Sequence, residues 1–314
     1  MVQSSAPAKT PSPRPLKGVR ILSLALNLPG PAALMRCRQM GATCTKLEAP
    51  PPAGAVPGTP GDPMGLYNRA AYDVMHGGVR VFTADLKSDK GQALLHRHLA
   101  KTDVLLTSFR PSALRKLGLA WADLRKRYAQ LSLVEIVGAP GARAEEPGHD
   151  LTYMAEAGLV TGTDMPPSLY ADMGGSLMAS EAVLQARILQ LTRGKGVRLE
   201  IALSEAARYL ALPRSWGLTV PSAAVGGGHA GYRVYPCKDG RVALAALEPH
   251  FAASLAQEAG LAKSHIMAMF LPESHATIAQ WCARHTRKQL ETIGSAKDIP
   301  LFTLTAESKP KTTG

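Results

Sequence analysis

Five short apolar segments recur between residues 18 and 138, reading GVRILSLAL, ATCTKLE, VRVFTADL, DVLLTSF and LSLVEIVG. Aliphatic runs of this length suit strands covered on both faces, as in a parallel sheet. Helical patterns lie between most of them. GPAALMRCRQMG reads as a helix stopped by Gly41, and SDKGQALLHRHLAK as one opened by Ser88 as N-cap. PSALRKLGL and WADLRKRYAQ add two more helical pieces. Further on, GSLMASEAVLQARILQLTRGKG predicts a long helix with Gly196 as its stop, followed by VRLEIAL as another strand. The alternation predicts an α/β fold with an open, Rossmann-like parallel sheet.

The predicted organisation has four parts. Residues 1–16 read as a flexible Pro/Ser/Ala tail and 17–220 as the large α/β domain. A small α+β domain spans 221–305, and 306–314 form a C-terminal tail. The boundary is set near the Gly-rich SAAVGGGHAG. YRVYPC and RVALAAL follow it as a hairpin turning at KDG, and helices continue through residue 294. The stretch at 49–63, rich in Pro and Gly, reads as a loop without a packing pattern.

Several classes of function are disfavoured. The formal net charge of +12 invites an anionic partner, but no long Lys/Arg block appears. With 5% aromatic residues there is little stacking surface, so no nucleic-acid partner is expected. GxGxxG is missing after the first strand, and no Walker A motif occurs. Cys37, Cys44, Cys237 and Cys282 are scattered without zinc-ligand spacing, so no metal is expected and the thiols read as reduced. The N-terminus has no apolar signal core, and no apolar run reaches the ~18 residues of a membrane span. A soluble cytoplasmic protein with no membrane partner is expected.

Three acid–base candidates stand at element ends. His149 and Asp150 lie in PGHDLTY, Asp172 in YADMGGSL and Glu248 in ALEPHF. Each also has a structural reading. His149 could be a loop histidine before a helix, Asp172 a helix N-cap eased by Gly174 and Gly175, and Glu248 a partner for a helix dipole. In an open α/β sheet, ligands sit beyond the carboxyl ends of the strands. That rim holds Leu28 to Pro31, Glu48, Ala84 to Lys87, Ser108 to Arg110 and Gly138 to Gly148.

LKGVRILSLALNLPGP, MGATCTKLEAP, TADLKSDKG, FRPSALRKLGL, PGHDLTY, YADMGGSLMA, RGKGVRLEIAL and VALAALEPHF follow one another in this order. Together they resemble the family III CoA transferases (the CaiB/BaiF family), which also include α-methylacyl-CoA racemase. Gly148-His149-Asp150, Ala171-Asp172 and Glu248-Pro249 are more similar to the racemase branch. The resemblance implies that His149 and Asp172 transfer protons and that Glu248 orients His149. It places coenzyme A, as acyl-CoA substrate, against Leu28, Pro29, Ala84, Asp85, Leu86, Lys87, Ser108, Phe109, Arg110, Lys116, Gly148 and His149. Lys87, Arg110 and Lys116 would meet phosphates. It also implies an intertwined homodimer.

The chain departs from the family pattern at several points. Ala49 stands where the family often has an arginine, and Ser108 where a polar residue of an ENF or ENY motif is common. MHGGVRV replaces the usual NRGKRS, and the stretch between His149 and Asp172 is shorter. Family members are expected to continue past the position of Leu304, where this sequence reads TAESKPKTTG.

Two activities follow from the resemblance. A racemase removes the α-proton of a 2-methylacyl-CoA from one face and returns one to the other, which needs two opposed acid–base groups. A CoA transferase uses the aspartate at position 172 as a nucleophile and passes through a mixed anhydride. In either case the N–H groups at Gly174-Gly175 are expected to stabilise the oxyanion. A non-catalytic CoA-binding subunit is the third reading, motivated by Ala49 and the chain end.

Overall fold

A computed structural model of the chain describes residues 13–261 and 266–306. Of the tails predicted at 1–16 and 306–314, residues 1–12 and 307–314 lie outside the described residues. Two compact units divide the chain, Met1–Ala211 and Leu212–Gly314. The division precedes the Gly-rich stretch on which the sequence placed it. Ala211 is buried with the first unit's last helix, so that unit closes earlier.

The first unit is built on six parallel strands: β1 (Arg20–Ser23), β2 (Thr43–Glu48), β3 (Arg80–Thr83), β4 (Val104–Thr107), β5 (Ser132–Val137) and β6 (Arg198–Ala202). Their order is β3-β2-β1-β4-β5-β6. This is the doubly wound order, and it reverses direction between β1 and β4. The first helices are α1 (Pro29–Gln39), α2 (Met64–Tyr67), α3 (Arg69–His76) and α4 (Asp89–Leu99). After them come α5 (Pro111–Lys116), α6 (Trp121–Arg127), α7 (Asp150–Glu156), α8 (Tyr170–Arg193) and α9 (Leu203–Leu210).

Strand alternation feeds two cores. Ile21, Cys44, Val104, Leu106 and Ile136 pack with Leu34 and Cys37 of α1 and Val183 of α8. Leu22, Leu47, Leu105 and Leu133 point the other way, against Leu95 of α4, Leu114 of α5 and Leu124 of α6. Each fully buried leucine contributes about 2–3 kcal/mol. Leu16 is also fully buried, and its N–H donates to the Met40 carbonyl, so the core begins inside the stretch read as tail.

Helix ends follow local chemistry, with one correction. Ser88 caps α4, its Oγ accepting from Gly91 N at 3.1 Å. The stop of α8 is Gly194, with φ of 65°, rather than Gly196. Gly196 is small for another reason, because a Cβ there would lie 1.9 Å from the Leu131 carbonyl oxygen.

The second unit holds α10 (Leu212–Ser215), β7 (Tyr232–Cys237), β8 (Gly240–Ala245), α11 (Pro249–Ala259), α12 (Pro272–Arg284), α13 (Arg287–Lys297) and β9 (Leu301–Thr305). The β7–β8 hairpin pairs Cys237 with Gly240, as its sequence predicts. β9 completes an antiparallel sheet that the sequence did not suggest. Its core gathers Tyr235, Val242, Leu244, Leu255, Ile278 and Trp281.

All four cysteines are free, and Cys37, Cys44 and Cys282 are buried. Burial pushes each of those three thiols up to about 12. Among the described residues, no helix is long and apolar enough to cross a membrane.

Candidate active site at the sheet's carboxyl rim

The rim positions lie where the parallel topology requires. Leu28 and Pro29 follow β1, Ala84 to Lys87 follow β3, Ser108 to Arg110 follow β4, and Gly148 and His149 lie on the connection from β5 to α7. The side chains of Lys87, Arg110 and Lys116 are exposed. Ser108 Oγ accepts from Leu26 N at 2.9 Å, so it joins the loops after β1 and β4 at the point where the sheet reverses. Asp85 Oδ1 accepts from Lys87 N at 2.9 Å and sets that turn. Glu48, though at the rim, is not available to a ligand. It is buried and spent on internal partners.

His149 is the N-cap residue of α7. Its N–H donates to Thr152 Oγ1 at 3.1 Å, and that hydroxyl donates back to the His149 carbonyl at 2.7 Å. The ring is exposed, and Nδ1 lies 2.5 Å from the Gly148 carbonyl oxygen. Nδ1 therefore carries the proton and Nε2 is the free basic nitrogen. Gly148 cannot carry a side chain, because a Cβ would lie 2.6 Å from the Tyr153 hydroxyl oxygen. Arg143 grips both oxygens of Glu156, at 3.0 and 3.1 Å, which ties the connection after β5 to α7.

Asp172 is the third residue of α8, not its N-cap. The cap is supplied by Asp150, whose Oδ1 accepts from Asp172 N at 3.0 Å. The Asp172 carboxyl is raised to about 6, chiefly by burial and then by the Asp150 charge, while His149 pulls it down. The fold therefore brings Asp172 within electrostatic reach of both residues of the His-Asp pair. Tyr153 and Tyr67 share this environment. Burial raises each phenol, and the Asp172 charge adds to it.

Gly174 and Gly175 lie inside α8 rather than at its start, so their N–H groups serve the helix. They are glycines because α9 is close. A Cβ on Gly174 would lie 3.1 Å from Leu210 Cδ1, and one on Gly175 only 2.2 Å from Leu203 Cδ2. The Asp172 N–H goes to Asp150 and the Met173 N–H to the Leu169 carbonyl. Tyr170 and Ala171 carry the remaining N–H groups of the first turn, in place of the two glycines.

Glu248 belongs to the second unit, as the N-cap residue of α11. It is exposed, and its side chain makes no capping hydrogen bond.

A second polar cluster went unnoticed in the sequence. Lys46 and Glu48 follow Cys44 on one face of β2, and all three are buried. The Lys46 ammonium donates to Asp62 Oδ2 at 2.5 Å and to His76 Nε2 at 2.9 Å, and it forms an ion pair with Glu48 Oε1 at 3.0 Å. Glu48, Asp62 and His76 are spaced as metal ligands could be, but the cation in their midst is this ammonium. His76 Nδ1 donates to the Tyr72 carbonyl at 2.7 Å, leaving Nε2 to accept. Tyr72 Oη donates to Glu48 Oε1 at 2.9 Å.

The model of CoA-transferase family III matches residues 16–306. The chain belongs to that family. Relatives include the cinnamoyl-CoA:phenyllactate CoA-transferase of Clostridium sporogenes, 29% identical over 61% of this chain and 50% of that protein. The human α-methylacyl-CoA racemase is 28% identical over 78% of this chain and 65% of that enzyme. The chain thus spans between half and two-thirds of these relatives' length. A CaiB/BaiF family protein of Brucella suis shares the fold, with a TM-score of 0.73 and 23% identity over 92% of this chain and 84% of that one. The relatives divide between CoA-transferases and racemases.

Proposed function

We propose that the chain is a racemase-like acyl-CoA enzyme, exchanging the α-proton of a 2-methylacyl-CoA thioester. The observation that carries this reading is the pairing at one site of His149, with Nε2 free, and Asp172, with a carboxyl near 6. A carboxyl near 6 can accept and return a proton close to neutral pH, and an imidazole is a common general acid–base group. One group removes the α-proton, and the electron pair moves onto the thioester oxygen as an enolate. The other protonates the opposite face. Lys87, Arg110 and Lys116 would hold the phosphates. Leu151, Tyr170 and Met173 are 39%, 40% and 39% exposed beside these residues in the chain, offering apolar surface to an acyl group.

The likeness to a phenyllactate CoA-transferase favours a second reading. In it the Asp172 carboxylate attacks the thioester carbonyl, the C–S bond breaks, and CoA leaves as the thiolate. The acyl group is held as an anhydride with Asp172. The thiolate then attacks the Asp172 carbonyl of that anhydride, releasing the donor acid and leaving an Asp172–CoA thioester. The acceptor carboxylate attacks this thioester, and the thiolate expelled takes the acceptor's acyl group from the second anhydride, freeing Asp172. A homodimeric, cytoplasmic enzyme fits either reading. Sedimentation velocity at a mass near one chain would overturn the dimer.

Incubation with a 2-methylacyl-CoA in heavy water separates the two activities. Deuterium at the α-carbon, read by mass spectrometry and lost in His149→Ala, is expected. CoA passed to an added carboxylic acid without α-exchange would replace the racemase reading with the transferase one.

A further inference from the structure

One carboxylate links the buried lysine cluster to the rim. Asp62 is fully buried, and its two oxygens face opposite ways. Oδ2 takes the Lys46 ammonium, while Oδ1 accepts from Asn27 N and Met64 N, both at 3.0 Å. Asn27 has φ of 61°, the left-handed region that favours glycine and that Asn tolerates better than other residues. That conformation directs the chain out of β1 into Leu28 and Pro29, the first two residues proposed to meet coenzyme A.

The loop is closed as well as anchored. Glu48 Oε2 accepts from Gly61 N at 3.0 Å and Asp62 N at 3.3 Å. A Cβ on Gly61 would lie 1.7 Å from the Ala49 carbonyl oxygen, so the loop's exit lies directly against its entry. Residues 49–61 thus form a tied loop whose fastening is Lys46. A buried ion pair adds little stability over an apolar one of the same shape, so its geometric role is the informative one.

We infer that Asp62, held by Lys46, is a positioning residue for the coenzyme-binding turn Asn27–Pro29. It acts through the Asn27 N–H and touches no substrate. This rests on the acyl-CoA reading above.

Two double variants isolate the acceptor. Lys46→Met/Asp62→Asn removes the ion pair but keeps an Oδ1 for Asn27 and Met64. Lys46→Met/Asp62→Leu removes the ion pair and the acceptor together. Titration with CoA by calorimetry, acyl-CoA kinetics and amide hydrogen exchange are measured on both variants and on the unmodified chain. The Leu variant is expected to bind CoA about tenfold more weakly than the Asn variant, the worth of one neutral hydrogen bond to the Asn27 N–H. KM should rise by a similar factor with kcat nearly unchanged. Exchange should accelerate at Asn27 while the amides of β4 and β5 stay protected in both variants. Single Asp62→Asn and Asp62→Ala variants give the same comparison if the double variants fold poorly.

Equal CoA affinity in the two variants overturns the inference, as does equal protection at Asn27. Loss of protection across β4 and β5 in the Leu variant alone makes Asp62 a general stability residue and also overturns it. If the unmodified chain binds no CoA while Asn27 behaves as expected, the acyl-CoA reading fails. Asp62 is then a loop fastener with no coenzyme role.

Discussion

Asp150 Oδ1 accepts the backbone N–H of Asp172 at 3.0 Å, so the first residue of α7 caps α8. The same contact sets a negative charge beside the Asp172 carboxyl and raises its affinity for protons. One carboxylate therefore both fixes where Asp172 stands and adjusts when it ionises.

Separating these roles gives the first prediction. Asp150→Asn keeps an acceptor and removes the charge, so Asp172 should titrate lower. The acid limb of the activity profile should move to lower pH with little change in melting temperature. Asp150→Ala loses the acceptor as well and should cost about 1–2 kcal/mol of stability. Activity against pH, with thermal denaturation of both variants, checks this.

The second prediction concerns Asp172 itself. Its folded-state value of about 6 lies above the ordinary 3.8, so ionisation is disfavoured in the folded chain. Its relative stabilisation is complete below 3.8 and is lost as pH rises through about 6. Moving a carboxyl that far costs about 3 kcal/mol when it is ionised, and partial solvent access reduces this to about 1–2 kcal/mol. Asp172→Asn should abolish turnover yet raise the melting temperature at pH 7.5. The gain should shrink toward pH 4.

How far the sequence discloses this arrangement depends on the range of each interaction. β1, β4 and β5 are legible because a strand covered on both faces is mostly apolar, as in VLLT with every residue buried. LFTLT at β9 is not, because only its register with β8, pairing Val242 with Thr303, makes it a strand. His149 and Asp172 stand out through their motifs. Asp150 stands out beside His149, but its capping role does not, since the donor it caps is 22 residues away. Gly174 and Gly175 resemble a turn until α9 is placed against them. Lys46 had one available signal, a Lys and a Glu two apart on a covered face of a strand, which asks for buried partners.

Packing between α8 and α9 supplies the third prediction. Gly175→Ala places a Cβ 2.2 Å from Leu203 Cδ2, so one helix or the leucine must move. A loss of about 1–3 kcal/mol is expected. Since Asp172 lies one turn upstream, kcat should fall even at temperatures where the variant is folded. Denaturant unfolding and initial rates on the same preparation test both parts.

His76 supplies the fourth. Burial, and then the Lys46 charge, hold its ring below the ordinary value of 6.5. The unfolded chain therefore takes up a proton first as the medium is acidified. This contribution to stability is intact above about pH 6.5 and declines below it. His76→Gln, which can still accept from Lys46, should flatten that part of the profile. Melting temperatures of parent and variant between pH 7.5 and 5 should converge if the assignment is right.

The thiols have a practical corollary. Three lie in the two cores, where burial leaves almost no thiolate, and Cys237 alone is partly open, at the end of β7. A maleimide dye added to the native protein should therefore attach at one place. The unaltered chain carries its own labelling handle in the second unit, so motions of that unit can be followed by fluorescence without engineering a cysteine.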